Sequence, residues 1–256
     1  MELNLTGKTA LITGAGRGLG ESIALSLARE GVTVIAVSRT KSNLDQLLSK
    51  VAGDTHLSFA IDLEQEGSVN ELIAFTEDSG VSPDIIVNNV GGNLGITDPL
   101  CSSADWRSVL HLNLEVAVDI NRHFIPYMRD KQWGRICHVS SIAALENQGP
   151  PPYCAAKAAL NAYVRSVGRY VSADGVIVTS VMPGAVLTDG GYWDEASKTR
   201  GQYVESYLRD RMAIKRLGKP EEISQLVTFL CSEHASFCAG SNVLVDGGQG
   251  RVFEQR

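Results

Sequence analysis

The chain has 256 residues, of which 44% are hydrophobic, and a formal net charge of −6. This length suits one α/β domain or two small ones. The negative charge disfavours nucleic acid and anionic membranes as main partners, because both would repel the protein. No apolar run approaches the roughly 20 residues of a membrane-spanning helix. Because the first residues lead directly into a predicted strand, we expect a cytoplasmic protein without a signal peptide.

The cysteines are odd in number, and their spacing is not that of metal ligands. They are Cys101, Cys137, Cys154, Cys231 and Cys238. We therefore expect free thiols in a reducing compartment and no metal site.

Short runs rich in Val and Ile alternate with amphipathic segments along the chain. The predicted strands are residues 8–13, 32–38, 56–61, 84–89, 135–140, 176–181 and 242–246. The predicted helices lie near residues 19–30, 43–51, 66–79, 107–130, 153–172 and 220–232. Strands buried on both faces and separated by helices indicate a doubly wound, seven-stranded parallel sheet with helices on both faces. No linker or repeat divides the chain, so we predict one domain over residues 1–256.

Residues 185–215 form a long insertion between the sixth predicted strand and the last helix. Loops of this length in a compact α/β domain usually cover a binding site, so we predict a lid here. Its aromatic residues are Tyr192, Trp193, Tyr203 and Tyr207. They either cover a ring or acyl chain of the substrate or pack the lid's own helices.

The stretch LITGAGRGLGESIALSLA places Gly14, Gly18 and Gly20 after the first predicted strand and at the start of a helix. A dinucleotide site needs small residues there, because the turn is tight and the backbone approaches the pyrophosphate. The helix N-terminus then offers free N–H groups and a positive dipole end to the phosphates. This context predicts a dinucleotide cofactor.

The end of the second predicted strand indicates which dinucleotide is bound. NAD-preferring folds carry an acid there that binds the ribose 2′-hydroxyl. Here the strand ends with Ser38, Arg39 and Thr40, and the next acid is Asp45. A guanidinium can clamp a 2′-phosphate with paired hydrogen bonds. We therefore predict NADP(H) rather than NAD(H).

In NQGPPPYCAAKAAL, Tyr153 and Lys157 are four residues apart and so share one helix face. A phenol with a pKa near 10 is a weak acid–base catalyst at neutral pH, and a neighbouring ammonium is expected to lower that pKa. The pair can then protonate a carbonyl or deprotonate an alcohol. We expect the three prolines at 150–152 to hold an extended approach that fixes the direction of Tyr153.

The spacing T-G-x-x-x-G-x-G from Thr13 to Gly20, with Tyr-x-x-x-Lys, resembles the short-chain dehydrogenase/reductase family over nearly the whole chain. The resemblance implies a Rossmann fold and hydride transfer between a nicotinamide and a ketone or secondary alcohol. It places an adenine contact at Asp62–Leu63, and NNVG (88–91) is similar to the family's NNAG. The implied cofactor-binding residues are Gly14, Arg17, Gly18, Leu19, Gly20, Ser38, Arg39, Asp62, Leu63, Asn89, Gly91, Tyr153, Lys157, Pro183, Gly184 and Thr188.

The same resemblance implies four catalytic residues, Asn113, Ser141, Tyr153 and Lys157. Counting forward through the fifth strand identifies Ser141 as the catalytic serine, whereas counting back from Tyr153 gives Ser140. We favour Ser141, whose hydroxyl would bind the substrate oxygen. Asn113 in the family kinks a helix and holds a water that leads to the lysine.

Two alternatives stay open beside a reductase of small ketones. One is reduction of 3-oxoacyl groups on acyl carrier protein, although Gln132 and Asp174 stand where the relatives that do this have basic residues. The other is a non-catalytic NADP(H)-sensing protein. Relatives pair the helices near 107–130 and 153–172 into tetramers, so we expect a homotetramer with small outward residues such as Ala159, Ala162 and Ser166 at its interface.

Overall fold

A computed structural model describes residues 2–53 and 55–251. Its strands form one parallel sheet in the order β3-β2-β1-β4-β5-β6-β7, as expected for a Rossmann fold. The strands are β1 (Thr9–Thr13), β2 (Thr33–Ser38), β3 (Leu57–Ala60), β4 (Ile85–Asn88), β5 (Gly134–Val139), β6 (Val176–Pro183) and β7 (Asn242–Val245). Each strand lies within about two residues of its predicted range, and runs of buried Val and Ile define strands such as β2 and β6.

Helices pack on both faces of the sheet. They are α1 (Gly18–Arg29), α2 (Lys41–Leu48), α3 (Ser68–Asp78), α4 (Ser103–Leu110), α5 (Val116–Asp130), α6 (Pro151–Val171), α7 (Tyr192–Thr199), α8 (Gly201–Arg211) and α9 (Pro220–Leu230). Successive strand residues point to opposite faces. Ala10 and Ile12 therefore join a core with α1 and α9, whereas Leu11 joins a second core with α3, α5 and α6.

The predicted helix over residues 107–130 is not continuous. A Ser102–Asp105 capping box begins α4 four residues before the predicted start. A π-helical turn, His111–Glu115, then separates α4 from α5. The hydrophobic pattern did not reveal this break, because it runs through the turn without interruption.

Only the first of the three prolines forms the expected extended approach, because the other two lie inside the helix. Pro150 is extended, with φ −61° and ψ 147°, and α6 begins at the next proline. The helix therefore starts two residues before the predicted residue 153. Proline is tolerated there because the first-turn N–H groups have no partner within the helix.

The strand order positions the site. The sheet continues in opposite directions from the adjacent strands β1 and β4, and in such sheets ligands bind in the crevice at the carboxyl ends of the strands. No helix within the described residues is long and apolar enough to cross a membrane. Over the same residues, no group of three or more potential metal ligands comes together, and the five cysteines are free thiols.

Candidate active site

A cleft of about 810 Å³ opens at the carboxyl ends of β1, β4, β5 and β6. All of the predicted cofactor-binding residues line it, as do Ser140 and Ser141. Asn113 is the exception among the predicted residues, since it lies behind the cleft wall. A Cβ at Gly91 would stand 2.7 Å from the Asn113 Oδ1 atom and 3.1 Å from the Lys157 Nζ atom. Gly91 therefore lies between the cleft and the Asn113 side chain, whereas Lys157 itself also lines the cleft.

Asn89, which directly follows the neighbouring strand β4, holds the glycine-rich turn in place. Gly14 has φ +67°, and a Cβ there would stand 2.8 Å from the Asn89 Nδ2 atom. That amide donates to the backbone oxygens of Thr13 (2.9 Å) and Gly14 (3.2 Å). The Thr13 hydroxyl in return accepts from the Asn89 and Val90 N–H groups. The side chain of Asn89 thus shapes the turn, and the residue also lines the cleft where the resemblance expects a cofactor contact.

The start of α1 provides a cradle for phosphate. Arg17 precedes the helix in extended conformation, and no described side chain caps the first turn. The free N–H groups in the first turn of α1 lie at the cleft and form a set of hydrogen-bond donors that suits a pyrophosphate. The absence of side chains at the glycines lets the backbone approach such a group, so the residues present fit a dinucleotide.

The end of β2 fits a 2′-phosphate. Arg39 is exposed at the cleft, and its Nη1 atom lies 3.8 Å from the Asp62 Oδ2 atom. An exposed ion pair at this distance contributes little, so the guanidinium is available to a phosphate. The Ser38 hydroxyl, which accepts from the Thr40 N–H at 3.3 Å, adds a second hydrogen-bonding group at the same edge of the cleft.

The two candidate serines face different partners. The Ser141 hydroxyl faces the Tyr153 hydroxyl, whose pKa it lowers, and it accepts from the Ala143 N–H at 3.1 Å. The Ser140 side chain is buried and points at the backbone oxygen of Lys157, 3.5 Å away. Of the two serines, Ser141 is therefore the one whose hydroxyl lies beside the Tyr153 hydroxyl.

The expected lowering of the Tyr153 pKa by Lys157 is not found. Desolvation of the phenol raises the pKa of Tyr153 above 10, although the nearby Ser141 hydroxyl opposes this rise. The Lys157 Nζ atom donates to the Val139 backbone oxygen at 2.9 Å and lies 5.7 Å from the centre of the Tyr153 ring. Burial lowers the pKa of Lys157 from 10.5 to about 8. Burial is therefore the main cause of the pKa shift in both side chains.

Asn113 lies within the π-helical turn, where the expected distortion of the helix is present. Its Nδ2 atom donates to the Val109 backbone oxygen at 2.8 Å and to the Gly92 backbone oxygen at 2.7 Å. Its Oδ1 atom accepts from the Gly92 N–H at 3.0 Å. The amide thus competes for a helical carbonyl, as expected for Asn inside a helix, and fixes the strand–loop junction beside Lys157.

The lid aromatic residues divide between the two expectations. Tyr192 and Trp193 line the cleft. Tyr207 packs behind Trp193 with ring centres 4.4 Å apart, and Tyr203 stacks on Trp193 at 6.2 Å. The first pair therefore faces the ligand space, and the second pair supports it from within the lid.

Sequence reasoning missed several residues at the site. Asn93 and Leu94 line the cleft, and Leu94 has φ 54°, an uncommon conformation for leucine. The continued glycine pattern in NNVGGNLG was the available signal. Beneath the cleft, the buried Asn121 amide donates to His138 at 3.1 Å. Burial and the Lys157 charge lower the pKa of His138 to about 3, so it stays neutral.

The fold and the cleft define a Rossmann-fold enzyme of the dehydrogenase/reductase class. Comparison with known proteins gives the family. Residues 14–249 match the family described as enoyl-(acyl carrier protein) reductase. The 3-oxoacyl-[acyl-carrier-protein] reductase FabG of Aquifex aeolicus is 31% identical over 253 residues, which cover 97% of this chain and 99% of that protein. The chain belongs to the short-chain dehydrogenase/reductase family.

Solved structures agree with this assignment. L-sorbose reductase from Gluconobacter frateurii, crystallised with NADPH and L-sorbose, has a TM-score of 0.91 and 31% identity, covering 99% of this chain and 100% of that chain. A 3-oxoacyl-(acyl-carrier-protein) reductase from Agrobacterium tumefaciens C58 with NADP bound has a TM-score of 0.87 and 30% identity, covering 96% of each chain.

Proposed function

We propose that this protein is an NADP(H)-dependent oxidoreductase that interconverts a ketone and a secondary alcohol, within one domain spanning residues 1–256. One observation carries the proposal. The neighbouring side chains of Ser141 and Tyr153 share a single cleft with the phosphate cradle of α1 and with Arg39.

The cofactor assignment rests on this chain's own donors. The α1 N-terminus would hold the pyrophosphate, Arg39 and Arg17 the 2′-phosphate, and Asp62 with Leu63 the adenine. Pro183, Gly184 and Thr188 would border the nicotinamide. When bound, NADPH supplies the hydride that a carbonyl carbon accepts. The structures of L-sorbose reductase with NADPH and of the oxoacyl reductase with NADP support this choice.

The remaining chemistry belongs to side chains of this chain. Ser141 and Tyr153 would donate hydrogen bonds to the carbonyl oxygen and stabilise the charge that develops there. Tyr153 then gives its phenolic proton to that oxygen. Because desolvation raises its pKa, the phenol is protonated at neutral pH and can act as the acid in carbonyl reduction. We place the Lys157 ammonium as the nearby charge that stabilises the resulting phenolate, and Asn113 as the residue that holds the adjoining backbone.

The substrate is a small carbonyl compound, and two classes are supported by named relatives. The L-sorbose reductase structure favours a hydroxylated ketone, and the FabG relatives favour a 3-oxoacyl thioester. The lack of cations at Gln132 and Asp174 argues against docking of an acidic carrier protein. Asp174 moreover neutralises Arg129 at 2.6 Å. We therefore place the ketone class first.

Initial rates of NADPH oxidation over a substrate panel test this function. The panel contains sugar ketones, small cyclic ketones, an acetoacetyl thioester and an unsaturated acyl thioester. We expect turnover of ketones, with thioesters slower. Faster turnover of the acetoacetyl thioester would favour the acyl-carrier alternative. A tight NADPH complex with no turnover across the panel would contradict the enzyme and favour the sensing protein.

Assembly and location belong to the same proposal. We propose a cytoplasmic homotetramer that binds no nucleic acid. Ala162 and Ser166 are exposed on α6 and Ala159 is half-buried, so this face offers small side chains for close helix packing. Sedimentation velocity at micromolar concentration tests the assembly. A tetramer is expected, and a monomer would contradict it.

A further inference from the structure

Gln249, in the segment that follows β7, is a buried amide whose polar atoms are all engaged. Its side chain is 3% exposed. Its Oε1 atom accepts from the Ala185 N–H at 2.7 Å. Its Nε2 atom donates to the Tyr207 hydroxyl at 2.7 Å and to the Gln148 Oε1 atom at 3.4 Å. One side chain near the C-terminus thus joins three separate segments.

Each of these partners connects Gln249 to a segment that lines the cleft. Ala185 lies between the cleft-lining residues Gly184 and Val186. The Tyr207 ring packs on Trp193 with centres 4.4 Å apart, and Trp193 lines the cleft. Gln148 lies in the loop that leads into α6 and Tyr153. Gln249 itself does not line the cleft, so it acts through these partners.

The packing around Gln249 leaves little freedom. A Cβ at Gly184 would stand 2.6 Å from the Gln249 Oε1 atom, so glycine permits this approach. Arg251 attaches the same segment at two further points. Its N–H donates to Glu146, and its guanidinium donates to the Asp210 backbone oxygen in α8. Removing the buried amide would leave the partners' polar groups without hydrogen bonds, which is costly.

We propose that Gln249 is a positioning residue that fixes α8 and the β6–lid junction, so that Trp193 stands opposite Ser141 and Tyr153. Its kinetic consequence rests on the proposed function, since it concerns how the ketone is held. Its structural consequence, a lid held in one position, does not depend on any activity. Gln249 binds the lid directly through Tyr207 and not through the cofactor cradle.

The test compares variants at Gln249 with a matched glutamine on the lid surface. Gln249→Ala removes all three hydrogen bonds, and Gln249→Met removes them while filling the space. Gln249→Glu keeps an acceptor for Ala185 and an oxygen that bonds the Tyr207 hydroxyl. Gln202 is exposed on α8, so Gln202→Ala is the control. If Gln249→Ala does not fold, Gln249→Met still tests the loss of the three hydrogen bonds.

Four quantities are measured on the full-length protein. For Gln249→Ala and Gln249→Met we expect the ketone KM to rise about tenfold while kcat and the NADPH Kd change less than about threefold. Amide hydrogen exchange in residues 192–211 is expected to quicken by about tenfold. Gln249→Glu should recover at least half of each loss, on a logarithmic scale.

A double-mutant cycle shows whether the effect passes through the lid tyrosine. If Gln249 acts through Tyr207, then Gln249→Met with Tyr207→Phe should raise KM no further than Gln249→Met alone. Fully additive changes would overturn the proposal, as would lid exchange in the Gln249 variants equal to that of Gln202→Ala. Failure of the wild type to reduce any ketone would overturn the proposed function alone, because hydrogen exchange still tests the positioning.

Discussion

The Ser141 hydroxyl faces the Tyr153 hydroxyl, and the chain between them passes through three consecutive prolines, of which the last two lie in α6. Ser141 follows β5, and Tyr153 lies in the first turn of α6. Because the sheet fixes the first and Pro150 fixes the entry to the helix, two donor hydroxyls converge on one point of the cleft. The carbonyl chemistry that we propose at this point requires that convergence.

This geometry distinguishes the two serines. Ser141→Ala is expected to lower kcat/KM for the ketone by about a hundredfold or more, since it removes a donor to the carbonyl oxygen. Ser140→Ala should lower it by less than about fivefold, because this hydroxyl faces the Lys157 backbone. Steady-state kinetics with saturating NADPH measure both. A larger loss in Ser140→Ala would assign the catalytic role to the other serine.

Cofactor preference should depend on Arg39. Arg39→Asp replaces the exposed cation at the end of β2 by a carboxylate that repels a 2′-phosphate and suits a free 2′-hydroxyl. We expect the ratio of kcat/KM for NADPH to that for NADH to fall about a hundredfold or more. Arg29→Asp makes the same change of charge at the far end of α1 and serves as control. Equal ratios in the two variants would contradict the assignment.

The buried Lys157 predicts a pH-dependent stability. Burial lowers its pKa to about 8 in the folded chain, against roughly 10.4 when unfolded. Below pH 8 both states carry the proton, and folding bears the full cost of burying the charge. As pH rises from about 8 to about 10, the folded chain loses the proton first, so this residue's contribution to the free energy of unfolding increases.

Comparison with Lys157→Met isolates that contribution. The wild type should gain on the order of 3 kcal/mol relative to the variant across this window. Urea unfolding at a series of pH values gives both curves. Parallel curves would show that the ammonium is not desolvated in the folded protein.

Much of the fold could be predicted because it depends on local patterns. Runs of Val and Ile define β2 and β6, and the glycine spacing after β1 requires a tight turn before a helix. These signals depend on backbone geometry and burial, which a sequence displays directly. The ends of α4 and α6 were less well predicted, since the Ser102–Asp105 capping box and the proline-initiated first turn extend both helices beyond their apolar stripes.

The parts that escaped prediction depend on tertiary contacts. The pKa of Tyr153 is raised because the fold buries its hydroxyl, whereas the sequence showed only a lysine one turn away. Asn89 turns its amide to the backbone of Thr13, a contact that the motif did not reveal. Gln249 gave no signal, since its partners lie far away in the chain.

The central claim is that the Tyr153 hydroxyl supplies the proton to the carbonyl oxygen. The most direct test is the rate of NADPH oxidation by Tyr153→Phe in a single turnover with the best ketone of the panel. We predict a loss of about a thousandfold or more with the NADPH Kd within about threefold. The control, Tyr170→Phe, removes an exposed hydroxyl from the other end of the same helix and should react like the wild type. A Tyr153→Phe rate within tenfold of the wild type would contradict the account.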